Sequence, residues 1–516
     1  MKLFVFIVVQ LLSLALAAQG GFRSRQYLSG SINSITKDIF ETSPGNYLAC
    51  GITVDTLNGV NTNRVIIMKL GNQGEMIWSK KYGTKNLEYL NNNFICRTFY
   101  KQGNFIYLAC CVRDSNNKQI GAFVKFDLNG DTLWQRFYRD SMDVVPQMVC
   151  SSVDGGFLIT GFFQDWNGGG QPCLLIKTDH SGNELWRKKI NKAGANVSDG
   201  KAIIQDSATK KIVIAGYQYI GSPQSAIMRD NVIITDSIGN KLIQRSYYSA
   251  NSGYLMDLVQ TQDKNLVAVG RAYKNLYLGN DQLSCSLMLK IDLNAIQTSP
   301  AIWIDQDFDS PQVYNIFTCL RELPNGDLVV GGIIDTMSAF ANSMLHRFAI
   351  FNSYGLVKKQ RYYSYKSNDI NYSNNQGLCS LDLTSDGGWV VSIPQAYIST
   401  FNPLFYVKYD SIGCDSTPAY CSNPVAVSEY SQTANIDFQM FPNPSSEYVQ
   451  FTCHKSMNSS IEIIISDLMG RELDHLTFVS EKQIKLDTRK FSEGIYLVRV
   501  YFDDSCVETR MLMISK

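Results

Sequence analysis

The side chains able to do chemistry are scattered. The four histidines, His180, His346, His454 and His475, lie far apart and fit no HExxH spacing, so they form no two-histidine metal face. A histidine that activates a nucleophile needs a carboxylate to orient its ring, and the sequence indicates none; His180 reads as a turn residue and His346 as the start of a strand. No catalytic residue is nominated. The 13 cysteines contain no CxxC pair, which removes the usual zinc and redox spacings. Cys414 and Cys421 bracket a short loop with Pro418 and are the candidate disulfide, whereas the neighbours Cys110 and Cys111 read as small buried apolar residues. A GxSxG elbow, a Walker loop and an EF-hand loop are all missing, and Gly168 to Gly170 opens no helical pattern, so it reads as a loop tip. No metal or cofactor is expected.

What remains are carboxylates and aromatic rings whose meaning depends on a repeat. Asn46 to Gly51, Gly156 to Gly161, Asn265 to Gly270 and Asp327 to Gly332 share one pattern, with weaker copies from Tyr107, Ile212 and Trp389. The first apolar residues fall at 47, 107, 157, 212, 266, 328 and 389, which makes a module of about 57 residues, close to the range of propeller blades. Each copy is followed by a second apolar run, a turn rich in Asp, Asn and Gly, and an outgoing strand, as in Leu174 to Trp186 and Phe123 to Trp134. With a short strand in front, each module holds four antiparallel strands. We therefore expect an all-β chain whose main part is a seven-bladed β-propeller. The seventh module stops at Gly413 without an outgoing strand, yet Arg23 to Tyr27 has the form of one, resembling Trp78 to Tyr82 and Trp134 to Tyr138. The first residues of the mature chain are thus expected to close the ring and leave no edge unpaired.

The repeat assigns places to the chemistry. Nine residues before each module start stand Asp38, Thr98, Met148, Ile203, Asp257, Cys319 and Ser380. Two carboxylates among seven make no converged acid pair, so Asp38 and Asp257 read as channel lining that holds water or an ion. The connections between second and third strands share one face and look long: Asp55 to Asn63, Arg113 to Ile120, Asp165 to Pro172, Tyr217 to Asp230, Tyr273 to Leu283, Asp335 to Ser343 and Gln395 to Pro403. They carry Trp166, Tyr219, Tyr277, Phe340, Tyr397 and Phe401 among amides and hydroxyls. Flat rings beside such groups suit sugars or protein surfaces, because a ring stacks on C–H bonds while amides meet hydroxyls.

Composition bounds the rest. The chain has 516 residues, 45% hydrophobic and 18% charged, too apolar for a disordered protein. A net charge of +1 gives no overall footprint for a polyanion, so no nucleic acid is expected. The 28 Tyr, 26 Phe and 37 Gly beside 13 Pro favour many short strands and tight turns. Residues 1–18 carry one charge, Lys2, then an apolar run, then Ala15-Leu16-Ala17, the form of a secretory signal peptide. The run falls short of the roughly 20 apolar residues that span a bilayer, and no later stretch reaches that length.

Resemblances to known families sharpen this. The Leu174 to Trp186 pattern resembles propeller repeats of exported Gram-negative proteins that use type IX secretion. The Asp179 to Trp186 turn is also similar to the docking motif of quinoprotein propellers and, more loosely, to the Asp-box of sialidases; in both the motif is structural, so the likeness implies fold and no chemistry. After Gly413 the repeat ends, and 416–436 reads as a linker. The last segment, 437–516, shows alternating apolar runs suited to a small β-sandwich. Its Pro442-Asn443-Pro444 opening, its Asp467 to Gly470 turn, its Gly494 to Tyr496 strand and its terminal Lys516 closely resemble the type A sorting domain of type IX secretion. That resemblance implies handling by the outer-membrane translocon and a place at the cell surface or outside the cell. The expected organisation is a signal peptide at 1–18, a propeller at 19–415, a linker and a sorting domain. The expected function is glycan or protein recognition, with a quinoprotein-like oxidoreductase or glycan-cleaving enzyme as the alternative.

Overall fold

The computed structural model describes residues 21–26, 28, 31–57, 60–83, 88–89, 98–114, 118–165, 170–191, 195–221, 227–247, 253–275, 282–291, 301–304, 314–338, 341–353, 355, 357–363, 380–393, 404–411, 413, 437–454, 460–467, 472–479, 483–502 and 505–515. The expected signal peptide and the Cys414–Cys421 pair lie outside them. Every regular element among them is a strand, as the dense β-branched and aromatic content favours.

Among the described residues up to Tyr409 the strands pair into seven separate antiparallel sheets. The first runs Ser31–Ser43, Asn46–Leu57, Val60–Leu70 and Met76–Tyr82, and the third runs Asp143–Ser151, Phe157–Gln164, Cys173–Thr178 and Glu184–Ile190. The fourth (Ala195–Gln205, Ile212–Ile220, Ile227–Thr235, Lys241–Arg245) and the fifth (Gly253–Gln260, Leu266–Asn275, Gln282–Ile291, Ala301–Ile304) repeat that plan, as does the sixth, from Tyr314–Glu322 to Val357–Tyr363. The second differs at its inner edge, where Glu88–Tyr89 and Phe99–Gln102 both pair with Phe105–Arg113. Inner strands of successive sheets pack on one another all the way round, the first against the seventh included. The result is a β-propeller.

The seventh sheet consists of Ser380–Leu383, Trp389–Ile393, Leu404–Tyr409 and, as its outer strand, Phe22–Gln26. Phe22 pairs with Lys408 and Gln26 with Leu404, so the N-terminal strand closes the ring in the expected manner. The seam is bonded on both sides. Ser392 Oγ donates to Lys37 O at 2.8 Å and Tyr406 OH to Cys50 O at 2.9 Å, while Ser24 Oγ donates to Gly74 O at 2.6 Å and Phe22 lies edge-on to Tyr47.

The recurrent turn has a physical purpose. Asp179 Oδ1 accepts the N–H groups of Ser181 and Asn183, both at 2.8 Å, and Asp127 and Asp236 do the same in their turns. The turn ends on a glycine with positive φ, Gly130 at 78° or Gly182 at 76°, where side chains are disfavoured. A Cβ there would meet the outer-strand tryptophan of the preceding sheet, Trp134 against Gly182 and Trp78 against Gly130. Tyr138 OH also donates to Gly182 O at 2.8 Å, and Tyr82 and Tyr363 repeat the bond at Gly130 and Gly413. Each module's outgoing strand is thus the dock for the next module's turn. Phe22 takes that place against Gly74, which marks the N-terminal strand as an outgoing strand in chemistry as well as position.

The connections expected to be long loops are in part ladder. In the first sheet pairing continues to Leu57–Val60, and in the sixth to Ser338–Ala341, so these are extended hairpin arms. Thr, Asn and Asp lower strand propensity without preventing backbone pairing, which is why composition overstated the loops. The last segment forms two sheets, Asp437–Phe441 with Tyr448–His454 and Gln483–Asp487, and Glu472–Val479 with Ser460–Asp467, Gly494–Phe502 and Ser505–Ile514. Val449, Phe451, Ile463, Ile465, Val498 and Leu512 are among the buried residues between them.

Candidate functional site

The inner-strand carboxylates correct an expectation. Asp38 and Asp257 are both fully buried and serve as staples between sheets, instead of lining solvent. Asp38 Oδ2 accepts Thr98 N–H at 3.2 Å and Phe99 N–H at 3.0 Å from the second sheet. Asp257 Oδ2 accepts Leu320 N–H and Arg321 Nη1–H, both at 3.1 Å, from the sixth, and Arg321 Nε lies 3.8 Å from Asp382 on the seventh. The reason is alternation: each side chain is turned toward the seam with the next sheet, where backbone donors at the start of the neighbouring strand (Thr98, Phe99) or just past its bulge (Leu320) need an acceptor.

Among the described side chains the histidines do not converge either, and His475 lies between Glu462 at 3.4 Å and Glu472 at 3.6 Å in the C-terminal segment. His180 is exposed in its turn, and His346 is buried, which pushes its imidazole down to about 4. Cysteines are equally quiet. Cys50, Cys110, Cys111, Cys173, Cys285 and Cys319 are buried free thiols, and burial raises Cys173 to about 12, far from the thiolate that reactivity requires. Among the described residues no group of three His, Cys, Asp or Glu side chains is placed to hold a metal.

One rim is different. Connections between second and third strands, and those leading into each new inner strand, emerge on the same side of the ring, and there the third, fourth and fifth sheets bring polar and aromatic groups together. Asp199, near the start of the fourth inner strand, has a side-chain exposure of 1%; Lys201 Nζ lies 3.1 Å from its Oδ2, and Gln147 Nε2 of the third sheet donates to the same oxygen at 3.3 Å. Tyr217 stands opposite Asp199 in the ladder, within reach of its carboxylate's field. Burial, and then the Asp199 charge, hold this phenol well above its ordinary pKa. Lys201 Nζ lies 5.4 Å above the Tyr217 ring. Tyr217 packs edge-on to Tyr219, with ring centroids 5.8 Å apart, and to Tyr254 of the fifth sheet, 6.4 Å apart. All three rings are half-buried. Asp199 Oδ1 and Gln147 Oε1 are buried with no hydrogen-bond partner among the described residues, acceptors whose desolvation costs about 1–3 kcal/mol each unless a donor arrives.

Tyr219 is the one loop aromatic singled out by sequence that the structure describes; Trp166, Tyr277, Phe340, Tyr397 and Phe401 lie outside the described residues. Tyr217, Tyr254, Asp199, Lys201 and Gln147 were not found by sequence reasoning. Spacing offered no clear signal, since a bulge between Gly200 and Ala202 breaks the period-two register at Lys201.

In the C-terminal segment the motif residues converge. Asn443 Oδ1 accepts Met513 N–H at 2.8 Å, Ser445 N–H donates to Met513 O at 2.8 Å, and Ser515 N–H donates to Ser445 O at 2.9 Å. Ser445 Oγ donates to Tyr448 O at 2.7 Å and lies 2.8 Å from Thr488 Oγ1. The Pro442-Asn443-Pro444 opening, in which both X–Pro bonds are cis, therefore clamps the final strand in place. Asp467 faces Tyr496 across the ladder, and Tyr496 OH donates to Ser492 O at 2.7 Å. Gly470 and Lys516 lie outside the described residues, and Gly494 opens the strand that pairs with the last one.

Residues 439–515 match the family model described as a secretion system C-terminal sorting domain. The chain carries a type IX sorting domain. That domain directs it to the cell surface or the extracellular space of a Gram-negative cell, and makes the type IX machinery its handler. No curated protein matches the chain at a significant level. Similar solved structures include the β-propeller domain of the trilobed protease from Pyrococcus furiosus, at 10% identity over 77% of this chain and 99% of that one, with a TM-score of 0.41. The WD40 domain of SCAP from fission yeast is 8% identical over 75% and 98%, with a TM-score of 0.33. Among the described residues no helix is long and apolar enough to cross a membrane.

Proposed function

We propose that the propeller is an exported recognition module for a glycan or a protein surface, with its ligand seat at the rim shared by the third, fourth and fifth sheets. The observation that carries this reading is the convergence of Tyr217, Tyr219 and Tyr254 with the Asp199–Lys201–Gln147 group. Half-buried rings supply apolar contact at low entropic cost, and buried acceptors next to them fix orientation. The loop aromatics Trp166, Tyr277, Phe340, Tyr397 and Phe401 belong to the same proposal by their place in the repeat. It takes 1–18 as a signal peptide, 19–415 as the recognition module, 416–436 as a linker and 437–516 as the sorting unit.

A glycan array and a surface-protein capture, run with the intact exported protein and with Tyr217→Ala and Tyr219→Ala variants, test it. Binding that falls about tenfold or more in the variants, as expected for a lost stacking ring, supports the seat. Binding unchanged by both variants, or turnover of a bound glycan, contradicts it.

A further inference from the structure

The near-zero net charge conceals a segregation. The outer strands of the seven sheets read FRSRQ, MIWSKKY, TLWQRFY, ELWRKKI, KLIQR, AIWI and VKKQRYY, which is thirteen basic residues and one acid in a chain of net charge +1. Some of these charges are matched nearby: Lys80 pairs with Asp131, Lys81 with Asp55, and Arg187 and Lys189 with Asp140. Across the second, third and fourth sheets others, and Arg139 just past the second outer strand, bond or pack on neutral groups, with the Asp236 carboxylate acting on Lys188 from the neighbouring turn. Arg136 Nε donates to Asn183 Oδ1 at 2.9 Å, Lys188 Nζ to Asn240 Oδ1 at 3.3 Å, Lys241 Nζ to Gln244 Oε1 at 3.1 Å, and exposed Arg139 lies over the Phe137 ring. Beside them Leu133, Leu185 and Leu242 are 49%, 59% and 53% exposed.

We propose that this arc of the outer circumference binds a linear acidic polysaccharide. The charge is complementary to such a chain, and its placement favours a flexible polyanion over a flat one: outer strands face radially outward, so a bilayer would touch the convex rim along one tangent, whereas a flexible chain follows the curve across three sheets. The exposed leucines meet sugar C–H faces. The belt is separate from the tyrosine rim, so its occupancy does not depend on the proposal made for that rim.

Fluorescence-detected binding of the intact exported protein to alginate is the test, with neutral dextran, duplex DNA and phosphatidylglycerol vesicles as the other probes. Alginate should bind, dextran should not, and raising NaCl from about 50 to about 300 mM should weaken binding strongly. Combined Arg139→Gln, Lys188→Gln and Lys241→Gln should weaken it about tenfold, the sum of three modest surface contacts, while Arg139→Lys, Lys188→Arg and Lys241→Arg keep it. Tyr219→Ala should leave it unchanged. Lys241→Gln alone, about twofold weaker, provides the same readout should the triple variant melt early. Absence of alginate binding, equal binding to dextran, indifference to the Gln variants, or DNA or vesicles bound as tightly as alginate would overturn the proposal.

Discussion

Replacing Asp257 by alanine should destabilise the propeller without the site of damage being a ligand pocket. The carboxylate, with a side-chain exposure of 1%, accepts Leu258 N–H at 2.9 Å, Leu320 N–H at 3.1 Å and Arg321 Nη1–H at 3.1 Å. Hydrogen bonds to a charged acceptor contribute about 1.5–3 kcal/mol each, so three give roughly 4–9 kcal/mol. Holding the carboxylate away from water offsets several kcal/mol of that. Removing it also leaves Arg321, 13% exposed, with Leu320 O as a neutral acceptor and, among the described residues, Asp382 at 3.8 Å as the remaining carboxylate. The expected loss is about 3–5 kcal/mol, as for other broken buried pairs. Asp257→Asn should cost about half as much, because the amide oxygen still accepts one backbone N–H. Adding Arg321→Met to Asp257→Ala should recover part of the loss, since it removes the stranded charge. Urea unfolding of the intact protein reads all three. A loss below about 0.5 kcal/mol for the alanine variant, or no recovery in the double variant, would refute the staple.

Three further outcomes follow. Asn443→Ala removes the acceptor for Met513 N–H and should loosen the final strand, lowering stability of the sorting unit by about 1 kcal/mol and lowering surface delivery, measured by cell fractionation, and normal delivery would contradict the clamp; removing 437–516 altogether should leave the chain in the periplasm, and normal delivery of that form would contradict the sorting role of the segment. Buried His346 stays neutral down to about 4 while the unfolded chain takes up a proton near 6.5. Its contribution is therefore fully present above about 6.5 and is lost as pH falls toward about 4, by up to about 3 kcal/mol; His346→Gln should flatten the urea midpoint against pH in that window, and an unchanged slope would count against it.

How much of this could be read beforehand follows from the range of each interaction. The Asp179 to Trp186 turn is local, so its residues appear together in sequence and repeat with the module. The closure by Phe22–Gln26 was legible because that strand copies the form of Met76–Tyr82, although its partners Leu404 to Lys408 are distant. The clamp in the sorting unit was visible as two separate motifs, Pro442 to Pro444 and the last strand, without the bond between Asn443 and Met513 that joins them. Asp38 and Asp257 were placed in the right column and given the wrong surroundings, because spacing specifies a level along an inner strand and leaves open which seam the side chain enters. The meeting of Asp199, Tyr217 and Tyr254 depends on contacts between sheets, and the outer basic arc vanishes in a net charge that sums over the whole chain.

The closed ring is tested most directly by hydrogen exchange, followed by mass spectrometry on the intact protein and on a form lacking the residues up to Gln26. The account predicts that amides of 22–26 and 404–409 exchange together in the slowest class, and that removing the N-terminal strand releases protection at 404–409. Rapid exchange of 22–26 as a free tail, with 404–409 still protected, would contradict it.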